Sequence, residues 1–93
     1  MTEKPSQSTV EVNGNKYLLQ KLPNMSYLEL RDNSKGPTGA LMDSKFYKEV
    51  LDKIVVGVND EFKKVSPNDF ESFEEMDKVV SEAVKFQHGG KYK

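Results

Sequence analysis

The chain has no cysteine. Disulfides, thiolate metal sites and cysteine nucleophiles are thereby excluded, and the composition fits an intracellular protein. Histidine occurs once, as His88. A catalytic histidine needs a nucleophile to activate, and no G-x-S-x-G or comparable setting accompanies this one. Metal binding needs convergent ligands, which a lone histidine without cysteine does not supply. No catalytic residue, metal site or cofactor is therefore assigned, and His88, beside Gly89, reads as an exposed helix-end residue. Apolar runs of membrane-spanning length are missing, and Met1 to Ser8 is polar without a signal-peptide core. A basic excess is missing too: the net charge of −1 argues against binding nucleic acid by phosphate neutralisation. These absences leave neither nucleic acid nor membrane as an expected partner and suggest a cytoplasmic protein.

What is present is one domain's worth of chain, 93 residues with 35% apolar and 31% charged side chains, so a lean core under a charged surface. The best-organised stretch is Ser72 to Gln87. Phe73, Met76, Val79, Val80, Ala83 and Phe86 recur at steps of three and four, the period of a helix with one buried face. Ser72 and Glu75 form an S-x-x-E capping box, acid gathers at the start, base near the end, and Gly89-Gly90 stops the helix. Near the other end of the chain, Ser8 to Val12 and Lys16 to Leu22 flank Asn13-Gly14. That dipeptide is the strongest short hairpin signal, because a type I′ turn requires two residues that tolerate positive φ. A lone two-stranded ribbon is marginal in water, so its apolar face must lie on helices.

Between these ends, Pro23 closes the second strand, and Ser26-x-x-Glu29 predicts a capped helix to about Asn33 presenting Tyr27, Leu28 and Leu30. Asn33 to Gly39 is rich in breakers and reads as a loop. Asp43 or Ser44 caps a further helix, whose stripe is Phe46, Val50, Leu51 and Ile54 with Tyr47 at its edge. Glu49 and Lys53 have the spacing of a favourable helical pair. The β-branched Ile54-Val55-Val56 and Gly57 end that helix in an extended segment, with Phe62 and Val65 as later anchors. Ser66-Pro67-Asn68-Asp69 starts another turn. The expected fold is α+β: a short N-terminal β-hairpin packed on three to four helices, mostly helical. Residues 1–7 are expected as a flexible N-terminal tail, 8–88 as a single domain and 89–93 as a flexible C-terminal tail. Phe46, Val50, Leu51 and Ile54 should meet Phe73, Met76, Val80 and Ala83.

Chemistry is scarce. Glu71, Glu74, Glu75 and Glu82 occupy positions expected to be solvated, as charge runs usually are. Val58-Asn59-Asp60-Glu61 lacks the spacing of a calcium loop, and Gly36-Pro37-Thr38-Gly39 lacks the G-K-[ST] ending of a phosphate cradle. Aromatic residues, in contrast, occur in every element. A core this small has difficulty covering Tyr17, Tyr27, Phe46, Tyr47, Phe62, Phe70, Phe73 and Phe86 together, and an exposed remainder marks a protein-binding surface. Tyr17, Tyr47 and Phe86 are the candidate protein-binding residues, with the carboxylates from Glu71 to Glu82 as a solvated rim.

The block Asp43-Ser44-Lys45-Phe46-Tyr47-Lys48-Glu49-Val50-Leu51-Asp52-Lys53-Ile54-Val55-Val56, followed by Ser66-Pro67-Asn68-Asp69-Phe70-Glu71-Ser72-Phe73-Glu74-Glu75-Met76, resembles the small tail assembly chaperones of long-tailed, siphovirus-like bacteriophages and prophages. The resemblance covers roughly Val10 to Phe86 and rests on packing and capping patterns. It implies a chaperone-like domain that is not an enzyme, working in the host bacterial cytoplasm and absent from the mature virion. It also implies a function: binding and solubilising the long helical tape measure protein and helping to recruit tail tube protein subunits, with self-association as a further expectation. Many such chaperones are made in two lengths by a ribosomal frameshift. Gly89-Gly90-Lys91 can be encoded as GGG GGA AAA, which contains a slippery heptamer; read by itself, the tripeptide is a helix stop and polar tail. The alternative function is a small regulatory or adaptor protein acting through an apolar protein-binding patch.

Overall fold

The N-terminal hairpin and the last helix meet through Tyr17 and Glu75, and the fold follows from how each reaches that contact. A computed structural model describes residues 7–89. Expectations for residues 1–6, for Gly90 and for the Lys91 end, including the tails and the slippery-site reading, fall outside the described residues. Strand β1 (Gln7–Val12) turns at Asn13-Gly14 into β2 (Asn15–Gln20). Asn13 has φ 54° and Gly14 φ 84°, the two positive values that a type I′ turn requires. Val10 lies opposite Tyr17, and Val12 opposite Asn15, in an antiparallel ladder.

The sheet has a third strand. β3 (Val55–Val58) pairs antiparallel with β2, giving the order β1-β2-β3 with a register shift between Leu18 and Leu19. An extended segment is legible in Val55-Val56; its partner, some forty residues earlier in the chain (Tyr17 opposite Val58), is not. The expectation of a hairpin alone is corrected accordingly: the fold is α+β, and the described residues form a three-stranded antiparallel sheet and three α-helices. Val12, Tyr17, Leu19 and Val55 are buried, while Thr9, Glu11 and Lys16 on the alternate positions are exposed, the period of two that a one-sided sheet imposes.

Helix α1 (Asn24–Asn33) begins three residues earlier than its S-x-x-E signal implies. Pro23 is its N-cap, its carbonyl accepts from Tyr27 N at 3.0 Å, and Ser26 makes no capping bond. Tyr27 and Leu30 are buried, but Leu28 is exposed. The following loop is closed on itself: Ser34 is fully buried with its hydroxyl on Leu30 O, its carbonyl takes Met42 N at 2.9 Å, and Gly36 N reaches Ala40 O at 2.9 Å. Helix α2 (Asp43–Lys53) has Met42 at its N-cap, so neither Asp43 nor Ser44 caps it by a side-chain bond. Val50, Leu51 and Ile54 are buried, with Phe46 and Tyr47 half-buried at the edge. Glu49 and Lys53 pair at 2.6 Å.

A 3₁₀ turn (Pro67–Asp69), capped reciprocally by Ser66 and Asp69, leads to helix α3 (Phe73–Gln87). Ser72 Oγ accepts from Glu75 N at 3.2 Å, as an N-cap should. Val79, Val80, Ala83 and Phe86 enter the core cluster with Val50, Leu51, Ile54 and the sheet residues. At the far end of α3, the Gln87 amide holds both Leu22 N (2.8 Å) and Leu22 O (2.9 Å), fixing the β2–α1 junction to the helix.

Candidate functional site

Two sequence expectations about α3 are reversed, and together they create the candidate site. Phe73, assigned to the buried stripe, is 66% exposed; Glu75, assigned to solvent, is only 5% exposed. Helical side chains lean toward the N-terminus, so an aromatic ring on the first residue of a helix leans past its end and not onto the neighbouring helix. Glu75 faces the sheet. Its carboxylate accepts from Tyr17 Oη at 2.7 Å, from Asn15 Nδ2 at 3.2 Å and from Asn13 Nδ2 at 3.4 Å. The Tyr17 hydrogen bond, aided by the two asparagines, lowers the Glu75 pKa against the opposing effect of burial. Tyr17 moves the other way, raised by burial and by the carboxylate it faces.

Of the three candidate contact residues, two are withdrawn from the surface. Tyr17 is 4% exposed and stacks on Phe70 with ring centroids 5.7 Å apart; Phe86 is 9% exposed, with the Lys21 ammonium 5.3 Å from its ring centroid. Both are core residues of this chain, because the hairpin and α3 bury each other's aromatic faces. Tyr47 remains half-buried at the surface. Its ring stacks on Phe73, centroids 6.4 Å apart and planes within 7°, and its hydroxyl donates to Asp77. That hydrogen bond, with burial second, raises the Tyr47 pKa to about 12, so the phenol stays protonated and the ring stays anchored.

The stacked pair forms one wall of an open cleft of about 480 Å³ where the N-terminal ends of α2 and α3 come together. Pro67 and Met76 complete its apolar lining, and Asp43, Ser44 and Lys48 stand at its rim. Phe73, Met76 and Pro67 were not among the candidates. No local signal marks them, because the three-and-four spacing puts Phe73 and Met76 on the same stripe as the buried residues of α3. The expected anchor Phe62 is likewise outside the core, at 79% exposure, beside Leu18 and Thr9 on the sheet's outer side. Val65, the other anchor, is buried.

His88 ends α3 as its C-cap, with Nε2 2.9 Å from Tyr27 Oη and the two rings edge to face. Among the described residues no cluster of three or more His, Asp or Glu is placed to hold a metal ion, and no helix is long and apolar enough to cross a membrane. Comparison of the chain with models of protein families, with curated proteins and with solved structures finds no match.

Proposed function

We propose that this protein is a tail assembly chaperone of a long-tailed phage or prophage, which binds an apolar helical stretch of the tape measure protein and keeps it soluble until the tail tube encloses it. The observation that carries the reading is the Tyr47–Phe73 wall: a large aromatic ring left two-thirds exposed (66%) and held in place by a stacked neighbour whose hydroxyl is tied to Asp77. A fixed apolar cleft between two helix ends suits one side chain of an amphipathic helix laid across it, the usual geometry of helix-in-groove recognition. Rigid aromatic anchors also lose little conformational entropy on binding. The sequence resemblance supplies the partner, the recruitment of tail tube subunits and the host-cytoplasmic setting.

The test is co-expression. A tape measure fragment insoluble by itself should become soluble with this protein and co-purify with it; persistent insolubility overturns the function. Phe73→Asp is the surface variant to use. An aspartate at the first residue of α3 suits the helix dipole and leaves the core untouched, so capture should be lost without loss of fold. Phe86→Asp would place a carboxylate in the core and report on folding instead.

A further inference from the structure

We propose that Asn13 is a site of spontaneous deamidation, and that the carboxylate this creates loosens the docking of the hairpin on α3. The inference is independent of the tape measure role proposed above. Asn13 is followed by Gly14, and none of the other five asparagines precedes a glycine. The reaction needs a backbone nitrogen that can reach the preceding side-chain amide, and glycine leaves that approach clear. Asn13 and Gly14 are both exposed, and a Cβ at Gly14 would meet nothing within 4 Å. The Gly14 N–H makes no hydrogen bond among the described residues, since a type I′ turn bonds the residues flanking its two central positions. Elsewhere the asparagines are held or crowded. Lys16 N donates to Asn59 Oδ1 at 2.9 Å, Ser34 N to Arg31 O at 3.1 Å and Asp69 N to Ser66 O at 2.9 Å. Asn59 is bonded at both ends of its amide, and Asn24 precedes the bulkier Met25 inside α1.

The chemistry balances with water as the only co-reactant. The Gly14 nitrogen attacks Cγ of Asn13 and gives up its proton. The N–Cγ bond forms, the Cγ–Nδ2 bond breaks, and Nδ2 leaves as ammonia. Water then opens the five-membered succinimide. Cleavage of the new N–Cγ bond gives aspartate. Cleavage at the main-chain carbonyl gives isoaspartate, whose backbone runs through the side-chain carbons. Both products act at one place. Asn13 Nδ2 donates to Glu75 Oε1 at 3.4 Å, the longest of the three bonds that seat this carboxylate, and Glu75 is only 5% exposed. Exchanging that donor for a carboxylate removes a bond and sets a like charge beside a buried one. Isoaspartate also lengthens a two-residue loop whose length fixes the strand register. Tyr17 and Asn15 still donate to Glu75, so the hairpin opens before the core does.

The full-length protein is held at physiological temperature in mildly alkaline buffer and sampled by intact mass, peptide fragmentation and hydrogen exchange. Chains should gain one dalton, located at position 13, with isoaspartate detected there by enzymatic methylation. Asn13→Gln, whose ring closure would need six members, should lose that gain. In the aged protein, the amides of Val10 and Tyr17 should lose protection before those of Val79 and Val80. Asn13→Asp reproduces the product with a normal backbone. Aspartate suits a type I′ turn as asparagine does, so this variant changes charge without straining the turn. It should lower the melting temperature and raise exchange in the hairpin, and both effects should shrink in a Glu75→Gln background, a double-mutant cycle for the pair. No gain at position 13, or a gain spread evenly over the six asparagines, overturns the site. Unchanged melting and exchange in Asn13→Asp, or an equal loss with and without the Glu75 carboxylate, overturns the consequence.

Discussion

Tyr17 Oη donates to Glu75 Oε2 at 2.7 Å, joining β2 to the first turn of α3 across 58 residues of chain. Every buried polar side-chain atom among the described residues has a partner, and this carboxylate has three. A buried charge left unpaired is costly, so the hairpin and α3 must dock in one relative position to satisfy it.

That contact makes stability pH-dependent with a definite sign. The folded-state pKa of Glu75 lies below the ordinary value of 4.5 for a free glutamate, so the unfolded chain binds more protons between the two values. Stability is then fully present above about pH 4.5 and declines as pH falls through the lowered folded pKa. Glu75→Gln should cost roughly 1–3 kcal/mol near neutral pH and flatten the acid limb of the stability profile. Urea melts of both proteins at a series of pH values check it, and parallel profiles would refute the assignment.

Gly14→Val tests the turn. A Cβ at Gly14 meets nothing within 4 Å, so the cost is the φ of 84° alone, forced on a β-branched side chain. The expected loss is about 1–2 kcal/mol, with the amide cross-peaks between Val10 and Tyr17 weakened first.

Gly57→Ala tests the third strand. Here the added Cβ would lie 2.5 Å from the Glu61 carbonyl oxygen, which is backbone and belongs to the tight return after β3. That return is held by Val58 N on Glu61 O at 2.9 Å and Glu61 N on Val58 O at 3.0 Å. The substitution should raise hydrogen exchange at Val58 and Glu61 well before it affects α1.

Leu51→Ala tests the core against the surface. Leu51 is 1% exposed among residues of α2, α3 and the sheet, and its truncation should cost about 2–5 kcal/mol. For a domain of this size that lowers the melting temperature by roughly 10 °C or more. Phe62→Ser, on a ring 79% exposed, should leave melting within about 3 °C of the parent, since surface changes rarely exceed about 0.5 kcal/mol. Calorimetry of the two variants side by side decides it.

Local signals were readable because they are local. Asn13-Gly14 specifies positive φ in two adjacent residues, the stripe from Met76 to Phe86 specifies one buried helical face, and Glu49–Lys53 needs only helical spacing. The sequence by itself determined these, and with them the α+β class. What it did not determine depends on which surface each element meets. Periodicity marks an apolar face without naming its partner, so the pairing of Val55–Val58 with β2 was out of reach. The same ambiguity hid the fates of Tyr17, Phe86 and Phe73. The first two could be assigned to the surface, and the third to the core, until the hairpin was laid on α3. Only the tertiary structure decided that, because it alone sets the carboxylate of Glu75 against Tyr17, which turns that face of α3 inward and leaves Phe73 at the helix start, stacked on Tyr47 and open to solvent.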